Sequence, residues 1–125
     1  MSQSITITLP LPDGRMSGHA KGGWRNKAAL TKTMRYQACV MAMATGKIPK
    51  EAWAPARIDY AFFLASDRRT DEANLIQRCK PYVDGICDSG IILDDNWRVL
   101  KTGGVAVDID RDNPRVEITI TKEAP

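Results

Sequence analysis

Polar and apolar residues alternate along Ser4–Leu9, with Ile5, Ile7 and Leu9 on one side and Ser4, Thr6 and Thr8 on the other. A period of two predicts a half-buried strand, which Pro10, Pro12, Asp13 and Gly14 end. Residues 14–26 have no period and four glycines, so a loop is expected there. A helical pattern follows over residues 27–45. Ala28, Leu30, Met34, Ala38, Val40, Met41 and Ala44 are available for its buried stripe, and Gly46 supplies the stop. Ile58, Tyr60, Phe62 and Leu64 alternate and predict a second strand over Ala56–Leu64, leading into a polar turn at residues 65–71. Leu75, Ile76, Cys79, Tyr82, Val83, Ile86 and Cys87 then recur at spacings of three and four, which predicts a helix. Pro81 lies inside that pattern and is expected to kink the helix or restart it near Lys80. Gly90 closes it. Two more strands are predicted, one at residues 97–101 or 105–109 and one at 115–121. The order describes one α/β domain over residues 1–125.

Composition narrows the class. The chain has 125 residues, 43% of them hydrophobic and 26% charged, with a net charge of +3, which supports one core and excludes a disordered chain. No apolar run approaches the roughly 20 residues that span a bilayer. The first residues lack a basic stretch followed by an apolar one, so no export signal and a cytoplasmic location are expected. Cys39, Cys79 and Cys87 are odd in number and widely spaced, and His19 is the only histidine, which argues against a disulfide framework and against zinc. All three cysteines are expected to serve as small core hydrophobes. His19, in the Gly-rich stretch SGHAKGG, is expected to be an exposed loop residue or a phosphate contact rather than a general base.

The charges are unevenly placed. Between residues 14 and 50 lie eight basic residues and no acidic one: Arg15, Lys21, Arg25, Lys27, Lys32, Arg35, Lys47 and Lys50. Trp24 and Tyr36 are interleaved with them; Trp24 and Trp97 could stack on bases, but tryptophan is more often packed, and only Trp24 is kept as a candidate. Such a segment is the footprint of a polyanion partner. Residues 67–95 carry seven acids: Asp67, Asp71, Glu72, Asp84, Asp88, Asp94 and Asp95. Carboxylates repel phosphate, a conflict that disappears if they hold a divalent metal such as Mg²⁺.

Carboxylates stand at the mouth of the second helix, around Asp71, and again after its end, at Asp94 and Asp95. A helix of about 15 residues is roughly 22 Å long, so the two groups meet only if the Asp94–Asp95 segment turns back along it. Converging carboxylates facing a lysine suit metal-assisted phosphodiester hydrolysis. Each group also has a purely structural reading. Asp71 is placed to cap a helix, Asp94-Asp95-Asn96 to form a turn, and Lys80 with Asp84 to form a solvated helix pair. The run Asp108-x-Asp110-x-Asp112-Asn113 begins like a calcium loop. Asn113 and Thr119 stand where such a loop needs glycine and glutamate, so a hairpin turn is expected instead.

The segment resembles the RusA family of Holliday junction resolvases. Leu9-Pro10-Leu11-Pro12 matches the family's opening, Asp71 its first aspartate and Asn74-Leu75 its Asn-Leu. Asp84-Gly85-Ile86 matches the helical step, and Gly90-Ile91-Ile92-Leu93-Asp94-Asp95 the closing turn. The resemblance implies an α+β fold with a mixed β-sheet packed against two main helices. It also implies a homodimer that resolves four-way DNA junctions by paired nicks with Mg²⁺, for which Mn²⁺ can substitute. Asp71, Lys80 and Asp95 would be catalytic, and Asp71, Asp94 and Asp95 the metal ligands. Arg15, Lys21, Arg25, Lys27, Lys32, Arg35, Arg68 and Arg69 would contact DNA. Ala73 stands where the family has a second aspartate, with Glu72, Asp67, Asp84 or a water held by Asn74 as replacements. The step from Asn74 to Asp84 is three residues longer than in the best-known members. Lys80 rather than Arg78 is taken as the family's lysine because it keeps the four-residue step to Asp84.

Overall fold

The computed structural model describes residues 3–12, 24–67 and 70–125, with the side chains of Trp24 and Arg25 left outside the description. Seven elements follow one another: β1 (Ser4–Leu9), α1 (Trp24–Ala44), β2 (Ala56–Leu64), α2 (Glu72–Arg78), α3 (Lys80–Ser89), β3 (Leu100–Ile109) and β4 (Arg115–Lys122). The four strands form one mixed sheet in the order β1-β4-β2-β3. β4 runs antiparallel to both β1 and β2, whereas β2 and β3 are parallel. A parallel pair needs a long crossover, and α2 with α3 supplies it.

The helices lie on one face of the sheet. Ile5, Ile7 and Leu9 of β1, Ile58, Tyr60 and Phe62 of β2, and Val116, Ile118 and Ile120 of β4 point toward them and are buried. Each fully buried side chain of this kind stabilises by about 1.5–3 kcal/mol. Ser4, Thr6 and Thr8 face solvent on the other side, where Thr6 and Thr119 share a 2.9 Å hydrogen bond across β1 and β4.

Three expectations need correction. The buried stripe of α1 is narrower than the pattern suggests: Met34, Ala38 and Ala42 are buried and Leu30 is half-buried, while Ala28, Val40, Met41 and Ala44 are exposed. A strict spacing of four makes one thin seam against α3 and β1, and the remaining apolar positions fall outside it. Of the cysteines, only Cys79 is in the core, where burial pushes its thiol up to about 12; Cys39 and Cys87 are half-buried. Residues 110–114 are not a hairpin turn, because β2 lies between β3 and β4. That connection crosses the end of β2: the Asp110 N–H donates to the Leu64 carbonyl (2.8 Å), and Arg115 Nη1 donates to the Asp110 carboxylate (2.8 Å). The third strand, expected at 97–101 or 105–109, is β3 over Leu100–Ile109, which takes in the second range and only the end of the first, residues 97–99 forming a turn.

Among the described residues, no helix is long and apolar enough to cross a membrane.

Candidate active site

The second helix breaks where Pro81 demands it. Proline has no N–H to continue the ladder, and its ring clashes with the carbonyl four residues back. α2 therefore ends with Cys79 as its C-cap, and the same residue is the N-cap of α3. Lys80 becomes the first residue of the new helix. A cation there opposes the helix dipole at a cost of about 0.3–1 kcal/mol, so local propensity does not explain it.

Two carboxylates offset that cost. Lys80 Nζ donates to Asp84 Oδ1 at 2.7 Å, one turn further along α3, and also to Asp95 Oδ2. Asp95 lies 15 residues from Lys80 in sequence, so the chain after α3 does turn back along the helix. Gly90 makes this return possible: its φ of 95° is in the left-handed region, where glycine carries no penalty, and its N–H donates to the Cys87 carbonyl. Partial burial pulls the Lys80 ammonium down, but the bonds to Asp84 and Asp95 outweigh it, and its pKa lies above the ordinary lysine value. The cluster edges a hollow of about 310 Å³ that is also lined by Ile58, Tyr60, Ile76, Gln77, Val83, Leu100 and Thr102.

The Asp-Gly step has its own physical cause. A Cβ on Gly85 would run into the Arg35 carbonyl and come within 2.9 Å of the Ala38 Cβ, so α1 and α3 cross at a point only glycine admits. One turn on, Asp88 accepts from Arg35 Nε (2.6 Å) and Nη2 (2.8 Å). The opening Pro-rich motif is tied to the same helix, since Tyr82 Oη donates to the Pro10 carbonyl at 2.8 Å.

The other expected site residues are placed differently. Asp71 is the N-cap of α2 and accepts from the Ala73 N–H (3.0 Å); it lines a separate hollow with Thr70, Glu72, Asn74 and Arg78. Asp94 folds into its own turn, accepting from the Asp95 N–H (2.7 Å) and from Asn96 Nδ2 (3.0 Å). The Asn96 bond and then the Asp95 amide hold its carboxyl below the usual range. Among the described residues, no three His, Cys, Asp or Glu side chains stand together to hold a metal ion. The structure thus joins Lys80 to Asp95 and Asp84, and it does not add Asp71 or Asp94 to that cluster. Of the expected DNA contacts, Lys27 and Lys32 are exposed on α1, whereas the Arg35 guanidinium is engaged with Asp88. Arg15, Lys21, Arg68, Arg69 and the side chain of Arg25 lie outside the described residues, as do His19 and the Trp24 side chain.

Trp97, expected to be packed rather than to stack on a base, is open to solvent instead. It is 75% exposed beside the Asp94–Asp95 turn, with the Arg98 guanidinium 5.0 Å from its ring centre and Leu93, also exposed, on the other side of the turn. The available signal was its position two residues after Asp95, between the polar Asn96 and Arg98.

Over 123 residues, which are 97% of this chain and 78% of the other, the sequence is 31% identical to a protein of Xylella fastidiosa called "Uncharacterized protein". The chain belongs to that protein's family. A relationship along almost the whole chain means that α1, the broken α2–α3 segment and the sheet fall within one shared region. No described protein-family profile matches the sequence.

Proposed function

We propose that this protein is a metal-dependent, structure-selective endodeoxyribonuclease that resolves four-way DNA junctions by paired nicks, in DNA recombination and repair or in phage DNA processing. The reading follows the resemblance to the RusA resolvases, including their homodimeric state. One observation carries it: Lys80 and Asp95, to which the resemblance gives catalytic roles, meet at the start of α3 although 15 residues separate them.

The residues that suit Mg²⁺, or Mn²⁺ in its place, are Asp84 and Asp95. Their oxygens already converge on one positive charge, that of Lys80, and Mg²⁺ is commonly held by one or two carboxylates with waters and substrate phosphate completing the shell. Asp84 is thereby the favoured replacement for the aspartate missing at Ala73. A bound metal supplies an activated water and screens charge developing on phosphorus. The chain's own groups do the rest. Lys80 stays protonated across neutral pH and donates to a phosphate oxygen or to the leaving oxygen. Lys27 and Lys32 hold the backbone through counterion release. Trp97 offers an open ring to an unpaired base at the branch point.

A second reading, branched-DNA binding without cleavage, draws support from Asp71, whose carboxylate is engaged as a helix cap next to Ala73. A nicking assay on an end-labelled four-way junction, with and without Mg²⁺ and beside linear duplex, separates the two. Paired cuts near the branch that need metal and vanish in Asp95→Asn, while binding survives, are expected. Tight binding with no cleavage under Mg²⁺ or Mn²⁺ would leave the second reading standing.

A further inference from the structure

The hollow beside Lys80 and Asp95 is built from two strands and the broken helix. β2 and β3 run side by side, with Ile58 opposite Thr102 in the register, so that the two side chains stand on the same face of the sheet. Ile76, Gln77, Lys80 and Val83 come down on it from α2 and α3. Ile58, Tyr60, Val83 and Leu100 are buried and make an apolar floor, whereas Gln77 and Thr102 are exposed and give it polar edges. Tyr60 is only 6% exposed, and its hydroxyl has no hydrogen-bond partner among the described residues. A polar group left unpaired at such depth is costly, and a ligand that bonds to it removes the cost.

Size and chemistry choose the ligand. A volume of about 310 Å³ is at the small end for ligand pockets and suits a single ring system. The apolar floor accepts the faces of a flat ring. Along the ring's edge, the Gln77 amide offers a donor and an acceptor, the Thr102 hydroxyl either, and the Tyr60 hydroxyl a donor. Such a mixture matches a nucleobase. It does not match a second phosphate, because the one cation lining the hollow, Lys80, is already shared by Asp84 and Asp95.

We infer that the hollow is a nucleobase pocket: one base of the strand to be cut, next to the phosphate held at Lys80 and Asp95, leaves the stack and enters it, and Gln77, Thr102 and Tyr60 bond to its edge. Extrusion costs least where pairing is already broken, as at a branch point. The inference rests on the proposed nuclease reading and adds the group of the substrate that the site receives besides the phosphate.

The experiment measures the affinity of the full chain for fluorescently labelled four-way junctions in EDTA, so that binding is read without cutting. One abasic site is moved stepwise along a strand through the branch. Binding is expected to weaken by about tenfold at one position, the scale of one lost base stack, and to change little at its neighbours. With each of the four bases placed there, affinities should spread by about tenfold. Gln77→Ala and Thr102→Val, each checked for a wild-type melting curve, should shrink that spread to about threefold or less. Tyr60→Phe should shrink it too without melting earlier, since it removes only the unpaired hydroxyl. An abasic scan with no outstanding position, or a spread that Gln77→Ala and Thr102→Val both leave intact, would overturn the pocket. So would an outstanding position that disappears in Trp97→Ala, which would put the base on that exposed ring instead. Nicking with Mg²⁺ is followed in parallel. Cutting without an outstanding position overturns the pocket alone, an outstanding position without cutting overturns the activity alone, and a chain that binds no junction overturns both.

Discussion

Asp84 and Asp88 stand one turn apart on α3, yet their carboxylates do different work. Asp88 receives a two-pronged bond from Arg35 and joins α3 to α1. Asp84 shares Lys80 with Asp95 beside a hollow. The guanidinium is a flat fork that matches one carboxylate with two parallel bonds, so the Arg35 pair is closed. The ammonium is a point charge with three rotatable donors, and it can leave one carboxylate for another oxygen. Closed pairs hold helices together, whereas an exchangeable cation between two carboxylates is what phosphate chemistry can use.

The largest expected effect breaks the exchangeable pair. Lys80→Met and Asp95→Asn should each lower junction nicking by about 100- to 1000-fold, while denaturant midpoints stay near wild type. A comparable loss of stability would reduce the Lys80 cluster to a structural pair.

Next comes the residue between the two pairs. Gly85→Val would force α1 away from α3 and should cost about 2 kcal/mol or more in urea unfolding, disturbing the Arg35–Asp88 side most. Trp97→Ala touches only the other side. It should weaken junction binding by about tenfold, the scale of one lost base stack, and leave linear-duplex binding and stability unchanged.

The smallest effect is in the pH dependence, and the two pairs differ in sign. The Arg35 bond holds the Asp88 carboxyl below the usual range. Its contribution is present above the ordinary carboxylate value and is lost as pH falls through the folded one. The Lys80 pKa lies above the ordinary value, so its contribution is present below that value and is lost as pH rises through the folded one. Thermal unfolding across pH should show Arg35→Ala altering the acid limb and Lys80→Met the alkaline limb. Both changes should be modest because the groups are substantially exposed.

Most of the scaffold was legible from local patterns. The strands at Ser4–Leu9 and Ala56–Leu64 have clean alternation, and Pro81 announced the restart at Lys80. What could not be read depends on distant partners. The order that puts β4 between β1 and β2 makes residues 110–114 a crossing rather than a hairpin, and nothing in Asp108–Asn113 encodes it. Likewise, the sequence offered Asp71, Asp94 and Asp95 as one set, because short-range spacing cannot tell a cap or a turn from a convergent ligand. Arg35 looked like one more base in a basic run; only the crossing of α1 over α3 gives it to Asp88. The return of Asp95 to Lys80 was half visible, as a requirement on the fold rather than a prediction of it.

The position of β4 also governs how the chain comes into being. β1 is made before the other strands, yet its one link to the sheet among the described residues is β4, which begins at Arg115 and alone joins it to β2. On the ribosome, β1 and β2 therefore lack a common neighbour until nearly the whole domain has emerged. Pairings of this sequence separation form slowly. Until β4 is made, β1 and β2 keep unpaired strand edges, the feature on which wrong strand pairing depends.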